Sequence, residues 1–510
     1  MVRRHGMFPG LMIAGLGLVA CGLPAMAQTA ATSQPAKATP AAAKTATPRP
    51  PTAKPRADGP HTLFEALAAT YSNQPALLAE RAKLRATDES VPQALAGWKP
   101  TVVVGTTAGY GDGINRAFSS TSINPVTGGR GAIITTQTVR DFATAQFTVT
   151  QNVYTGGRIQ GNVNRSKNQV MAERAVLINQ EQTSFLAAAS AYVGVIQARQ
   201  LLELQRNNEQ VLAKQLQATN DRFRVGEITR TDVAQAEAAL AGARAQRETA
   251  EGNLLVARGT FRQVVGVQPP EDMIEPQPLA LPVKTEADAS TIASTNNPTV
   301  IAALFNDAAA KDAVDVAMAA LMPQVSVQGQ SFQQENAGAR SSEASGFAVT
   351  LQMQVPLYQG GAEYAAVRAA RQTQQQTTRQ IDDAKRTAVQ NAVQALSTYY
   401  GAKAAANSTR TAIRSNEIAL EGVTREAIVG SRTTLDVLNA QQALLNSRTT
   451  LVQNLSQLIT ASFQVAQAIG RLTARDLRLP VPLYDETAYY AAVKDRWAGL
   501  GDYATNQPAR

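Results

Sequence analysis

The 510-residue chain carries one cysteine, two histidines and two tryptophans, and aromatic residues make up only 5% of it. Cys21 lies inside an N-terminal apolar segment, so after export no thiol is left for a disulfide. His5 precedes the same processing region, which leaves His61 alone. Zinc clusters, cysteine nucleophiles and histidine bases therefore lack their residues, and neither a metal nor a cofactor is expected. Phosphate-binding glycine loops are missing too: "GGRGA" at 128–132 does not stand between a strand and a helix. Chemistry would rest on carboxylates alone, and no spacing marks a pair, so an enzyme is not expected. The formal charge of +9 is concentrated early, since Arg3, Arg4, Lys37, Lys44, Arg49, Lys54 and Arg56 against Asp58 leave only +3 for residues 61–510. A nucleic-acid partner loses its electrostatic footprint. The longest apolar run of the stretch 158–224, "FLAAASAYVGVI" at 185–196, is short of the roughly 20 residues that span a bilayer as a helix.

Residues 1–27 have a basic start, an apolar core and "PAMAQ", an Ala-x-Ala site ending at Ala27. They read as a signal peptide. "LVAC" at 18–21 also fits a lipoprotein box that would acylate Cys21; the reading favours cleavage after Ala27. Residues 28–60 are low-complexity Ala, Thr, Pro and Lys with few large apolar groups, and are expected to form a disordered linker.

The remainder is a tandem duplication, with a first repeat at 61–272, a second at 273–479 and a tail at 480–510. "SNQPALLAE" at 72–80 answers "TNNPTVIAA" at 295–303; "VYTGG" at 153–157 answers "LYQGG" at 357–361; "VGEITRTDVAQAEAAL" at 225–240 answers "VGSRTTLDVLNAQQAL" at 429–444. The first repeat carries an extra "GDGINRAFSSTSINPVTGGRG", whose composition predicts a loop. Around it the pattern has period two. Phe347, Val349, Leu351, Met353, Val355 and Leu357 alternate with Thr350, Gln352 and Gln354, and Ala143, Ala145, Phe147 and Val149 alternate likewise with polar neighbours. Two shorter segments, "TVVVGTTAGY" and "QVSVQGQSF", bring the count to four strands of about 10 to 13 residues, in the range of outer-membrane strands. A soluble sheet with one wet face fits the alternation equally well. Export and Tyr110, Tyr154 and Tyr358 at strand ends favour a barrel wall, with Tyr154 and Tyr358 as membrane-interface anchors. Four strands cannot close, whereas three chains supply twelve.

After each Tyr-x-Gly-Gly the period changes. Residues 158–224 and 362–428 contain no proline and predict two helices of 67 residues, each about 100 Å long. Shorter helices at about 62–97, 227–266, 287–320 and 431–470 would run alongside them. At each turn Gly226 or Gly430 suits a left-handed helix stop, Thr229 or Thr433 a cap, and Asp232 or Asp436 the third position of a capping box. Each is the tip of a helical hairpin.

The duplication, "YTGGR", "YQGGA" and "VGSRTTLDVLNAQ" resemble the TolC family of outer-membrane efflux proteins across essentially all of residues 61–490, and the tail more weakly resembles that of members serving type I secretion. The resemblance implies an α+β membrane protein: a homotrimer with a twelve-stranded outer-membrane β-barrel, four strands per chain, continued by a long periplasmic α-helical barrel. It implies an exit duct whose tips meet a periplasmic adaptor protein, linked to an inner-membrane ABC or proton-driven transporter. By motif, Arg432 falls on the position that holds the tip closed and Asp436 on a constriction carboxylate. Asn439 replaces a second ring acid, and Ala427 replaces a tyrosine link. Against the duct stand a periplasmic adaptor, which would need a single hairpin flanked by small β modules, and a surface structural coiled coil, which the caps and Gly-Gly joints oppose.

Overall fold

The computed structural model describes residues 59–123, 125–337 and 341–501. The expected signal peptide with Cys21 and Ala27, and the linker up to residue 58, lie outside the described residues. Within them the chain runs α1 (Leu63–Asn73), α2 (Pro75–Asp88), α3 (Ser90–Leu95), β1 (Thr101–Ile123), β2 (Arg130–Tyr154), α4 (Arg158–Arg224) and α5 (Arg230–Val265). A second pass gives α6 (Glu286–Asn296), α7 (Pro298–Ala319), β3 (Gln324–Glu335), β4 (Glu343–Gln354), α8 (Ala362–Ile428) and α9 (Thr434–Ala468), and α10 (Ala488–Val493) closes the chain. Both long helices match the proline-free stretches residue for residue. The opening helix of each repeat is not continuous as expected. It breaks at Gln74 and Asn297, whose extended backbones precede Pro75 and Pro298, because a proline at a helix start disfavours helical geometry in the residue before it.

All four strands form one antiparallel sheet in the order β1-β2-β3-β4. Its register joins the apolar positions across the whole width. Val102, Val149, Gly329 and Val349 form one row, and Val104, Phe147, Ser331 and Phe347 the next row on that face. On the opposite face Thr101, Thr150, Gln328 and Thr350 line up. Alternation within a strand thus becomes segregation between faces. The wall strands β3 and β4 have 12 residues each, within the expected length. β1 and β2 have 23 and 25, and here the expected loop is corrected: residues 111–119 pair with 132–140 as a continued ribbon. Its glycines are accommodated by aromatic rings, for a Cβ on Gly109 would stand 2.7 Å from the Phe142 ring and one on Gly131 2.9 Å from that of Phe118. Tyr110 consequently lies inside β1 and not at a strand end.

The joint from sheet to helix is made by paired glycines. Gly156 and Gly157 have φ of +65° and +89°, and Gly360 and Gly361 have +69° and +85°. Side chains rarely adopt that conformation, which accounts for the repeated Tyr-x-Gly-Gly. Beyond the joint, α4 packs against α5 and α7, and α8 against α9 and α7. The main core surrounds the middle of α4, where Phe185 and Tyr192 meet Leu67, Leu77, Leu84, Phe261, Phe463 and Leu472. Each such burial contributes about 1.5 to 3 kcal/mol. An 18-residue window of α4 is apolar enough to cross a membrane by length and composition, more than the run at 185–196 suggested, and half of it is buried in the chain. The seam on α8 is made of smaller residues, Ala388, Ala392, Ala395 and Leu396, against Ala289, Ala293, Val300 and Ile469. Small side chains let the helix axes approach closely in one layer.

Candidate functional site

Two features combine chemistry with position: the two-faced sheet and the paired hairpin tips. At the first tip α4 ends in two bonds, from the Gly226 N–H to the Phe223 carbonyl at 2.9 Å and from the Glu227 N–H to the Arg222 carbonyl at 3.0 Å. The second tip repeats them from Gly430 to Ala427 at 3.3 Å and from Ser431 to Glu426 at 3.0 Å. This pattern is the Schellman stop, and it needs Gly226 and Gly430 at φ of +77° and +82°. Thr229 and Thr433 cap the returning helices, accepting from the amides of Asp232 and Asp436, and both carboxylates accept from the threonine amides at 3.0 Å. Bonding from the Thr433 amide and hydroxyl holds the Asp436 carboxyl below the usual carboxylate range, and bonding from the Thr229 hydroxyl and amide does the same for Asp232.

Each tip also carries an ion pair, and the two have opposite polarity. Arg222 on the first long helix reaches Glu227 in the turn at 2.5 Å, whereas Glu426 on the second accepts from Arg432 in the turn at 2.9 Å. Sequence reasoning singled out Arg432 and missed Glu426, Arg222 and Glu227. The signal was present, because the offset of the duplication sets Arg222 against Glu426 and Ile228 against Arg432. Glu426 pushes the Arg432 guanidinium further up. Asn439 is exposed three residues past Asp436, one turn along the same helix face, and Ala427 is buried. Leu438 packs with Leu212, Leu240 and Ala243, so the second hairpin touches the first near the tips. Tyr154 and Tyr358 are both exposed at the helix-side margin of the sheet, the former ending β2 and the latter just beyond β4.

The model of the family described as outer membrane efflux protein matches residues 67–267 and 290–471, one segment in each half of the duplication. The chain belongs to the outer membrane efflux protein family. Outer membrane efflux protein BepC of Brucella suis is 33% identical over 443 residues, covering 86% of this chain and 92% of that protein. Outer membrane protein TolC of Vibrio cholerae is 27% identical over 306 residues, covering 58% and 70%. Among solved structures, CusC, described in terms of transmembrane channel formation, superposes with a TM-score of 0.68 at 15% identity over 80% of this chain and 91% of that one. The fold is thus that of outer-membrane channels, in which a β-barrel wall continues into a long helical barrel. The family is one of transport ducts, and it locates this efflux protein in the outer membrane with its helices on the periplasmic side.

Proposed function

We propose that three copies of the chain assemble into a water-filled exit duct that receives substrate from an inner-membrane ABC or proton-driven transporter through a periplasmic adaptor protein. One observation carries this reading: the sheet is apolar on one face and polar on the other, yet β1 and β4 each have a strand neighbour on one side only among the described residues. Open edges in lipid strand backbone donors and acceptors, and closure by three four-stranded sheets removes every edge. The apolar rows then face lipid and the threonine and glutamine rows face the bore. Tyr154 and Tyr358 anchor the wall at the membrane interface. The boundaries 61–272 and 273–479 delimit the two equivalent halves that each chain adds to the wall, each containing a tip that docks the adaptor through Gly226, Thr229 and Asp232 or Gly430 and Thr433. Arg432 and Asp436 narrow the bore at the second tip, with Asn439 beside them.

The Brucella relative's description as an efflux protein favours small toxic compounds as cargo, and the tail's likeness to members serving type I secretion adds a secreted polypeptide as a second cargo. The test is single-channel conductance in a planar bilayer for the natural protein, Arg432→Ala and Asp436→Ala. Small cation-preferring steps that enlarge in the first variant and lose selectivity in the second are expected. Silence from folded trimers in all three would sink the duct.

A further inference from the structure

The two tryptophans of the whole chain, Trp98 and Trp497, are linked through one residue, Lys99. Trp98 precedes Lys99 at the foot of β1, and the Trp497 ring centroid lies 5.0 Å from the Lys99 ammonium. The Lys99 ammonium also donates to the Arg496 carbonyl at 2.6 Å, which pins the end of the tail to the start of the wall. The tail reaches this point along a fixed track. The Tyr484 amide donates to the Tyr71 hydroxyl at 2.9 Å, and Arg81 lies over both rings, 4.3 Å from Tyr71 and 5.2 Å from Tyr484. Further along, Tyr490 meets Arg174 and the Tyr489 hydroxyl donates to Glu89 at 2.8 Å. Val493 is buried, so α10 is seated and not adrift.

Past the point where it is pinned, the tail turns apolar surface outward. Trp497 is 74% exposed, Trp98 is 42% exposed and Leu500 is fully exposed. Burying an indole is among the largest gains a side chain offers, so a pinned but uncovered Trp is in want of a neighbour. Two further observations say which one. The apolar face of the sheet begins at Val102, four residues after Trp98, so the exposed aromatics stand within about 15 Å of chain from that face's start. Lys494 and Arg496 stand beside Trp497 in the chain, with Asp495 between them 4.0 Å from the Lys494 ammonium, which leaves the stretch a net positive charge toward a phosphate layer. Indole, apolar margin and flanking cations together are the chemistry of a bilayer interface.

We propose that residues 488–501 form a strap that rests on the periplasmic-facing leaflet of the outer membrane, with Trp497 and Leu500 at the boundary between headgroups and acyl chains and Lys494 and Arg496 toward phospholipid phosphates. The strap rests on the barrel reading, since it needs the sheet's apolar face in lipid. It ties the α2–α3 track to the membrane and fixes how deep the wall sits.

The chain's two tryptophans make the test direct. The full processed protein is reconstituted into phosphatidylethanolamine–phosphatidylglycerol vesicles, with or without bromine on the acyl chains near the headgroup. Trp98→Phe then reports Trp497 alone, and Trp497→Phe reports Trp98 alone. Brominated lipid is expected to reduce the emission of Trp98→Phe roughly twofold, as for an interfacial indole. Emission insensitive to bromine in Trp98→Phe but quenched in Trp497→Phe overturns the strap and leaves the barrel standing, whether acrylamide then finds Trp497 in water or shielded by a neighbouring copy. Insensitivity in both variants overturns the strap as well, and single-channel conductance of the same protein then tells whether the barrel is inserted.

Discussion

Asp436 and Asp232 fill the same local role, and only Asp436 is given a second one by the duct proposed above. Their capping geometry is the same to within a few tenths of an ångström, so the cap alone explains an aspartate at either position. Thr229→Ala and Thr433→Ala are each expected to loosen a tip by about 1 kcal/mol, seen as faster protease nicking at that turn. Ion selectivity separates the two acids: Asp436→Ala is expected to lower the cation preference measured by reversal potential, and Asp232→Ala to leave it unchanged. Asp88 is a different case. It is buried between α2 and α4, with neither carboxylate oxygen hydrogen-bonded, and burial pushes it up to about 6 despite the pull of Arg174. Its folded value lies above the roughly 3.9 of an unfolded chain, so the protonated form favours folding. That contribution is complete below about pH 4 and is lost as the pH rises through about 6. Asp88→Asn is therefore expected to stabilise the protein at pH 8, by on the order of 1 to 3 kcal/mol, and to change little at pH 4. Thermal unfolding followed by helical circular dichroism at both values checks this; equal shifts at the two would exclude it.

At the scale of elements, the β1–β2 ribbon beyond the sheet pairs only with itself among the described residues, because β3 leaves β2 at Ala143. Replacing residues 112–139 by a two-residue Asn-Gly turn is expected to preserve assembly and membrane insertion. Loss of the folded protein on a semi-native gel would show that the ribbon supports the wall. The ribbon is also where the sequence misled. Gly109, Gly111 and Gly113 with Asp112 and Asn115 have turn chemistry, and no face of that stretch is consistently apolar. Alternation is legible where one face meets lipid, as in β4, and disappears where both faces are wet. The 67-residue helices were legible for the converse reason, since a stretch without proline between two glycine stops has few other options. The tips were read down to their caps because capping is local. The tail's track was not, because Tyr71 and Tyr484 meet across 413 residues with no pattern to announce it.

For the molecule as a whole, the sheet's two faces predict opposite tolerances. Leu351→Lys sets a charge on the apolar face and is expected to cost about 2 to 4 kcal/mol, enough to deplete the protein from outer-membrane fractions. Gln352→Lys, one residue on and facing the other way, is expected to insert normally and to shift ion preference instead. Equal behaviour of the pair would contradict the segregation of faces. The reversed ion pairs at the tips matter on this scale too. Shape makes the two tips near copies, so a trimer presents six alike turns around its rim, but Arg222 with Glu227 and Glu426 with Arg432 alternate in polarity from one turn to the next. Geometry there is sixfold and electrostatics threefold. A ring of six identical partner subunits could therefore seat itself on the rim in every position by shape, while charge would divide those positions into two unequal sets and give the joint a preferred rotational phase.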